Sequence, residues 1–182
     1  MKTIQAASES DKHALKVKDN GGVYFVPAFV GLGTPYWDDD VRGSIFGITR
    51  ATTLDHIVRA ALEAIAFQSK DVFDVMEKDS GIALKSLQVD GGASNSNFLM
   101  QFQSDILQIN IIKPCCAEST ALGVAYMAGL NTGYFASPKV LKNMRSIAKT
   151  FNPETNKKDA ENACKCWGIA VKSAREFKLK ND

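Results

Sequence analysis

The chain has 182 residues, of which 45% are hydrophobic and 23% charged, a length and balance that fit one globular domain and exclude disordered, collagen-like and low-complexity classes. Twenty-two basic against twenty acidic residues leave a net charge of +2, with the signs interspersed, so neither a nucleic-acid footprint nor a polybasic membrane patch is present. No apolar run reaches the ~18–20 residues of a membrane span, and Met1 to Gln5 lack an apolar signal core, which predicts a cytoplasmic chain. Cys115, Cys116, Cys164 and Cys166 lack the spacing of a zinc site and are expected as reduced thiols.

Residues 1–20 are polar and read as a mobile or short helical lead-in anchored by Leu15 and Val17, with the domain proper spanning 21–182. Val23 to Phe29 is an apolar, aromatic strand candidate closed by Pro27, and Gly43 to Ile48 is a second. Between them, Gly31 to Asp40 forms a loop. Its three consecutive Asp read as a solvated turn rather than a cation site, and Tyr36 and Trp37 as a loop anchor or partner contact.

The strongest periodicity predicts a helix from Thr53 to Ser80, with Ile57, Val58, Ala61, Ile65, Gln68, Val72, Val75 and Met76 as its apolar stripe. Thr53 or Asp55 caps its start and Gly81 its end. Leu84 to Asp90 reads as a strand, Asn95 to Leu107 as a helix carrying Phe98, Leu99, Phe102 and Ile106, and Ile109 to Lys113 as a strand stopped by Pro114. Glu118 to Leu130 is a helix rich in small residues, suited to close approach of another backbone. Pro138 opens a short helix, Ile147 to Phe151 alternates like an edge strand, and a final helix runs to about Leu179 with Ala160, Ala163, Cys164, Trp167, Ala170, Val171, Ala174 and Phe177 on one face. Alternating helices and strands in the middle of the chain predict parallel pairing with helical crossovers.

Residues suited to catalysis are scarce. His13 and His56 are expected at the surface, and no Walker A loop, zinc-protease helix or nucleophile elbow occurs. The informative segment is Val89-Asp90-Gly91-Gly92-Ala93-Ser94-Asn95-Ser96-Asn97, where a strand runs through two glycines and small polar residues into a helix. Glycines there admit a ligand or another backbone, and the helix start offers free N–H donors and side chains able to bind a purine or ribose. The same pattern also fits a plain strand-to-helix turn with an N-cap.

Three stretches together resemble the FGGY family of carbohydrate kinases. The first is Val23 to Gly43, whose Pro35-Tyr36-Trp37-Asp38 wording is nearer to the glycerol-phosphorylating members than to those acting on sugars. The second is Gly43, Ile45, Gly47, Ile48 and, after seven residues, His56-Ile57 and Ala60-Ala61-Leu62-Glu63. The third joins Val89–Leu107 to Glu118–Leu130. The resemblance implies a ribonuclease-H-like, actin-like ATPase C-terminal domain of α/β class, incomplete at its N-terminal edge. It further implies ATP-dependent phosphorylation of glycerol to glycerol 3-phosphate with Mg²⁺ in the complete enzyme. Asp90-Gly91-Gly92-Ala93 matches the adenosine motif, and Ala121 to Ala125 the small-residue helix of the interdomain hinge.

On this reading Gly91, Gly92, Ala93, Asn95 and Ser96 hold the adenine nucleotide, and no residue of the chain is assigned to catalysis or to a metal. Ser96 stands where the family places a nucleotide-contacting Asn, with Asn95 and Asn97 on either side. The family's first phosphate motif, glycerol-holding residues and general base have no counterpart here, so the chain alone is expected to be inactive. An unpaired sheet edge predicts self-association. A fragment of another FGGY sugar kinase, or a kinase-derived interaction module without catalysis, are the alternatives.

Overall fold

The computed structural model describes residues 4, 6–116, 118–144 and 146–177. Their elements in chain order are α1 (Ser10–Ala14), β1 (Tyr24–Val26), β2 (Ser44–Phe46), α2 (Leu54–Ser80), β3 (Ser86–Gln88), α3 (Asn97–Leu107), β4 (Asn110–Pro114), α4 (Ser119–Asn131), α5 (Pro138–Asn143), β5 (Ile147–Phe151) and α6 (Lys157–Glu176). β1 and β2 form an antiparallel ribbon in the register Tyr24 to Phe46 and Val26 to Ser44. β3 and β4 pair in parallel through the α3 crossover, and β5 adds antiparallel to β4, giving the order β3-β4-β5. The parallel pairing expected from the alternation is present. Pro114 is the last residue of β4, at a register shift against β5, rather than the residue beyond it.

α2 organises the packing. Thr53 N–H donates to His56 Nδ1 at 3.2 Å, closing a capping box at its start. Gly81 ends it with φ +68°, its N–H donating to the Glu77 carbonyl at 2.8 Å. Its buried residues are Val58, Ala60, Glu63, Ala64, Ala66 and Phe67; of the expected stripe Val58 is buried, Ile57, Ala61, Gln68, Val72 and Val75 are half-buried, and Ile65 and Met76 are exposed. Alanines bring the backbone of α2 close to its neighbours, and it is packed by α1, β1 and α3 together, which hides more than one face.

Phe67 and Ala66, adjacent in sequence, serve two cores. Phe67 joins Val26, Leu32, Val41, Trp167 and Val171, and Ala66 joins Leu99, Met100, Ile111 and Phe151. The Phe67 ring stacks on Trp167 at 5.3 Å between centroids and meets Phe102 edge-on at 5.4 Å. Next to the stack, Asp71 Oδ2 accepts from Trp167 Nε1 and from the Tyr36 hydroxyl, both at 2.8 Å. Burial holds the Asp71 carboxyl above the usual carboxylate range despite these two donors. Tyr36 is therefore a loop anchor, whereas its neighbour Trp37 is exposed.

Among the described residues before Gly21, α1 packs against α2. Ala14 is its buried anchor, while Leu15, expected in that role, is exposed. On α6, Ala160, Trp167, Ala170, Val171 and Ala174 face inward as expected and Phe177 is exposed; Leu179, the expected helix end, lies outside the described residues. Replacing Phe67 by Ala should destabilise the protein by about 3–5 kcal/mol in urea unfolding, because the cavity opens between the rings of Tyr24, Phe102 and Trp167. A loss below about 1 kcal/mol would contradict the central place given to this ring.

Candidate nucleotide-binding site

The site grows from the carboxyl end of the parallel pair. Beyond β3 the ladder continues, with Val89 N–H donating to the Ile112 carbonyl at 3.1 Å. Asp90 follows, and Gly91 then turns the chain with φ +79°, ψ −178°, a conformation that side chains other than glycine's resist. Gly92 to Asn95 make one 3-10 turn, and Ser96 caps α3.

Each expected site residue has a definite place in this turn. Gly91, Gly92, Ala93 and Asn95 are exposed, and a Cβ built on Gly91 or Gly92 meets no atom within 4 Å. Asn95 Oδ1 accepts from Lys113 Nζ at 2.9 Å, which leaves its amide nitrogen for other partners. The Ser96 hydroxyl accepts from Leu99 N–H at 3.0 Å and donates to the Asp11 carboxylate. Ser94 is buried and its hydroxyl donates to the Gly91 carbonyl at 2.7 Å, bracing the turn from within.

Beside the turn lies an open cleft of about 590 Å³. One wall is Gln88 to Asp90 with Pro114 and Cys116, at the carboxyl ends of β3 and β4. The other comes from α4 and α5, through Leu122, Gly123, Tyr126, Leu141 and Lys142. Crevices at the carboxyl ends of parallel strands are where open α/β sheets take ligands. None of the expected site residues Gly91, Gly92, Ala93, Asn95 and Ser96 lines the cleft; their turn follows directly in sequence on Asp90, the last lining residue of this wall. The second wall uses the small-residue helix α4, which the sequence marks for close approach of another backbone rather than for lining a cleft, together with α5.

α4 has no charged side chain and, among its described residues, none is buried; Val124 is 64% and Met127 73% exposed. Gly129 is tied up within the chain, since a Cβ there would come 2.4 Å from the Phe135 ring, but Gly123 faces open space. The remaining polar features of the sequence are structural. His13 pairs with Asp55 and His56 closes the α2 cap. In the Asp38–Asp40 run, Asp38 pairs with Arg175 at 3.2 Å. All four cysteines are free thiols, with Cys164 pushed up to about 11 by burial. No helix among the described residues is long and apolar enough to cross a membrane.

This architecture has clear counterparts. Residues 2–132 match the C-terminal domain of the FGGY family of carbohydrate kinases, and the chain belongs to that family. It is 50% identical to a glycerol kinase of Bacillus cytotoxicus and 52% identical to one of Geobacillus, in each case over 98% of the chain. The chain spans 36% of the length of these curated relatives. The Plasmodium falciparum glycerol kinase with ADP superposes on 97% of the chain with a TM-score of 0.89 and 37% identity, covering 35% of that structure. A xylulose kinase from Lactobacillus acidophilus shares the fold, with a TM-score of 0.77 at 22% identity over 92% of this chain and 34% of its own. The fold is accordingly the ribonuclease-H-like, actin-like α/β fold of these kinases' C-terminal domain.

The two glycines of the turn differ in what they require. Gly91→Ala should cost about 1–3 kcal/mol in thermal unfolding, because its backbone sits in a region strained for alanine. Gly92→Ala, with an ordinary φ and open space at its Cβ, should cost under about 1 kcal/mol. Equal effects would contradict the turn geometry.

Proposed function

We propose that this chain supplies the adenine-nucleotide side of a glycerol kinase, an enzyme that transfers the terminal phosphoryl group of ATP to glycerol and yields glycerol 3-phosphate and ADP. The observation that carries the reading is the cleft at the carboxyl ends of β3 and β4, with the Gly91-Gly92 turn beside it. Support comes from the glycerol kinases at 50–52% identity, one structural relative of that name having been solved with ADP. The identities favour glycerol over a sugar, since the xylulose kinase resembles the chain far less closely in sequence.

Gly91, Gly92 and Ala93 let the adenosine approach the backbone, and the Asn95 amide nitrogen is placed to donate to it. Ser96 takes part through the turn, because its hydroxyl is engaged by Asp11 and Leu99. Mg²⁺ belongs with the nucleotide's phosphates in such enzymes; among the described residues no group of His, Cys, Asp or Glu could hold a metal ion. Phosphoryl transfer needs a positioned nucleophile and charge stabilisation around the moving group. Both histidines serve structural contacts, so general base and glycerol site are assigned to the part of the relatives that this chain does not span. The chain alone is accordingly inactive.

The uncharged, exposed α4 is the surface we assign to meeting that part. β3, at the outer edge of its sheet, is the place where a second copy would add. The setting for this ATP-dependent chemistry is the cytoplasm.

Titrating Mg-ADP into the 182-residue chain by calorimetry should give saturable binding, in the high micromolar range or weaker. Gly92→Val should abolish that heat without changing the helical circular dichroism, since the added side chain enters the space left for the ligand. Absence of binding by the parent chain, or unchanged affinity in the variant, would contradict the assignment.

A further inference from the structure

The polar segment ahead of Gly21 reaches the nucleotide turn. α3 begins Asn97-Phe98-Leu99-Met100 and has no acidic residue in its first turn to complement its exposed N–H groups. Asp11, from α1, supplies that carboxylate from a distance. One of its oxygens accepts from the Ser96 hydroxyl and the other from Phe98 N–H at 3.2 Å. Two further links lead back from Ser96: its N–H donates to the Ala93 carbonyl at 3.1 Å, and the Ser94 N–H and hydroxyl donate to the Gly91 carbonyl at 3.2 and 2.7 Å. The turn from Gly91 to Ser96 is thereby cross-linked by hydrogen bonds and fastened at its far end to Asp11.

Asp11 is itself held firmly. Ala14, three residues on, is fully buried, and Arg59 Nη1 donates to the carbonyls of Ala14 at 3.3 Å and Val17 at 2.8 Å. The same guanidinium pairs through Nε with buried Glu63 at 2.8 Å and lies 4.9 Å over the Phe98 ring of α3. His13 pairs with Asp55 on α2. α2 therefore fixes α1, and α1 fixes the turn. Neither Asp11 nor any residue of the Gly91–Ser96 turn is among those lining the cleft, so Asp11 acts on a ligand beside Asp90 by holding, through Ser96, the turn that follows it.

We propose that Asp11 is a positioning residue for nucleotide binding, holding the Gly91–Ser96 turn in the geometry that receives the adenosine. This rests on the nucleotide reading of that turn. Three consequences separate it from a general contribution to stability. Asp11→Ala should raise amide hydrogen exchange selectively at residues 94–99 in nucleotide-free protein, with α2 and α6 unchanged. It should weaken Mg-ADP binding by about fivefold to tenfold, less than the full worth of a charge-assisted hydrogen bond because Asp11 acts on the ligand only through the turn. Ser96→Ala added to it should cause little further loss, since both substitutions cut one link.

Asp11→Asn, which keeps an acceptor for Phe98 N–H, should restore part of the affinity, and it carries the same test if the alanine variant does not fold. Exposed Lys12, replaced by Ala, should bind Mg-ADP like the parent. Folded Asp11→Ala with parental affinity, or fully additive losses in the Asp11/Ser96 pair, would overturn the proposal. If the parent chain binds no Mg-ADP, the nucleotide reading fails, while the exchange map still decides the clasp: no selective rise at 94–99 overturns it.

Discussion

Two adjacent residues of one helix divide the molecule's interior between them. Phe67 of α2 stacks on Trp167 and gathers the β1–β2 ribbon and α6, while Ala66, about 100° around the helix, faces α3 and the three-stranded sheet. A long helix buried on adjoining faces couples elements that are far apart in sequence. The Asp71 carboxylate extends the coupling by accepting from both Trp167 and Tyr36. The glycine- and aspartate-rich loop is thereby tied to two helices rather than left to solvent. Leaving that carboxylate without its donors would strand a half-buried charge, which is why the three residues form a unit.

From this frame the site inherits one firm wall. Leu99, Met100, Ile111 and Phe151 seat α3 beneath the sheet, and the Asp11 contacts hold its first turn. The other wall is different in kind. Among the described residues, no side chain between Ile111 and Phe151 is buried, although α4 and α5 occupy that stretch. An apolar helix with no fully buried residue in its own domain contributes little to stability and belongs to the part of the fold most easily opened. A cleft with one fixed and one loosely held side suits a ligand that arrives between parts of a larger enzyme.

Much of this was legible in the sequence because it is local. Thr53 and Gly81 mark the ends of α2, the cap of α3 falls within the polar run Ser94 to Asn97 although the helix begins at Asn97 rather than Asn95, and apolar runs separated by helices predict the parallel β3–β4 pair. The glycine pair after Asp90 marks the β3–α3 turn for a local reason as well, because strand, glycine and cap follow one another directly. What escaped depends on contacts across the chain. The buried side of α2 is only partly legible, with Val58 found and Ala60, Ala64, Ala66 and Phe67 not, because helical periodicity assumes a single solvent-facing side and alanines packed from several directions do not register as a stripe. Asp11 lies 85 residues from Ser96 in a segment that reads as polar lead-in, and nothing in its neighbours signals a helix cap elsewhere. Leu15 looked like an anchor on hydrophobicity alone, yet the smaller Ala14 fits the buried position against α2.

The central claim is that an adenine nucleotide is received between the Gly91–Ser96 turn and α4. Its most direct test is residue-level chemical-shift mapping of the isotopically labelled 182-residue chain as Mg-ADP is added. The account predicts saturable shifts concentrated at the backbone amides of Gly91, Gly92 and Ala93, the Asn95 side-chain amide, and Leu122 to Tyr126, with the Phe67–Trp167 core unmoved. Shifts confined to other surfaces, or none in these residues at saturating nucleotide, would contradict it.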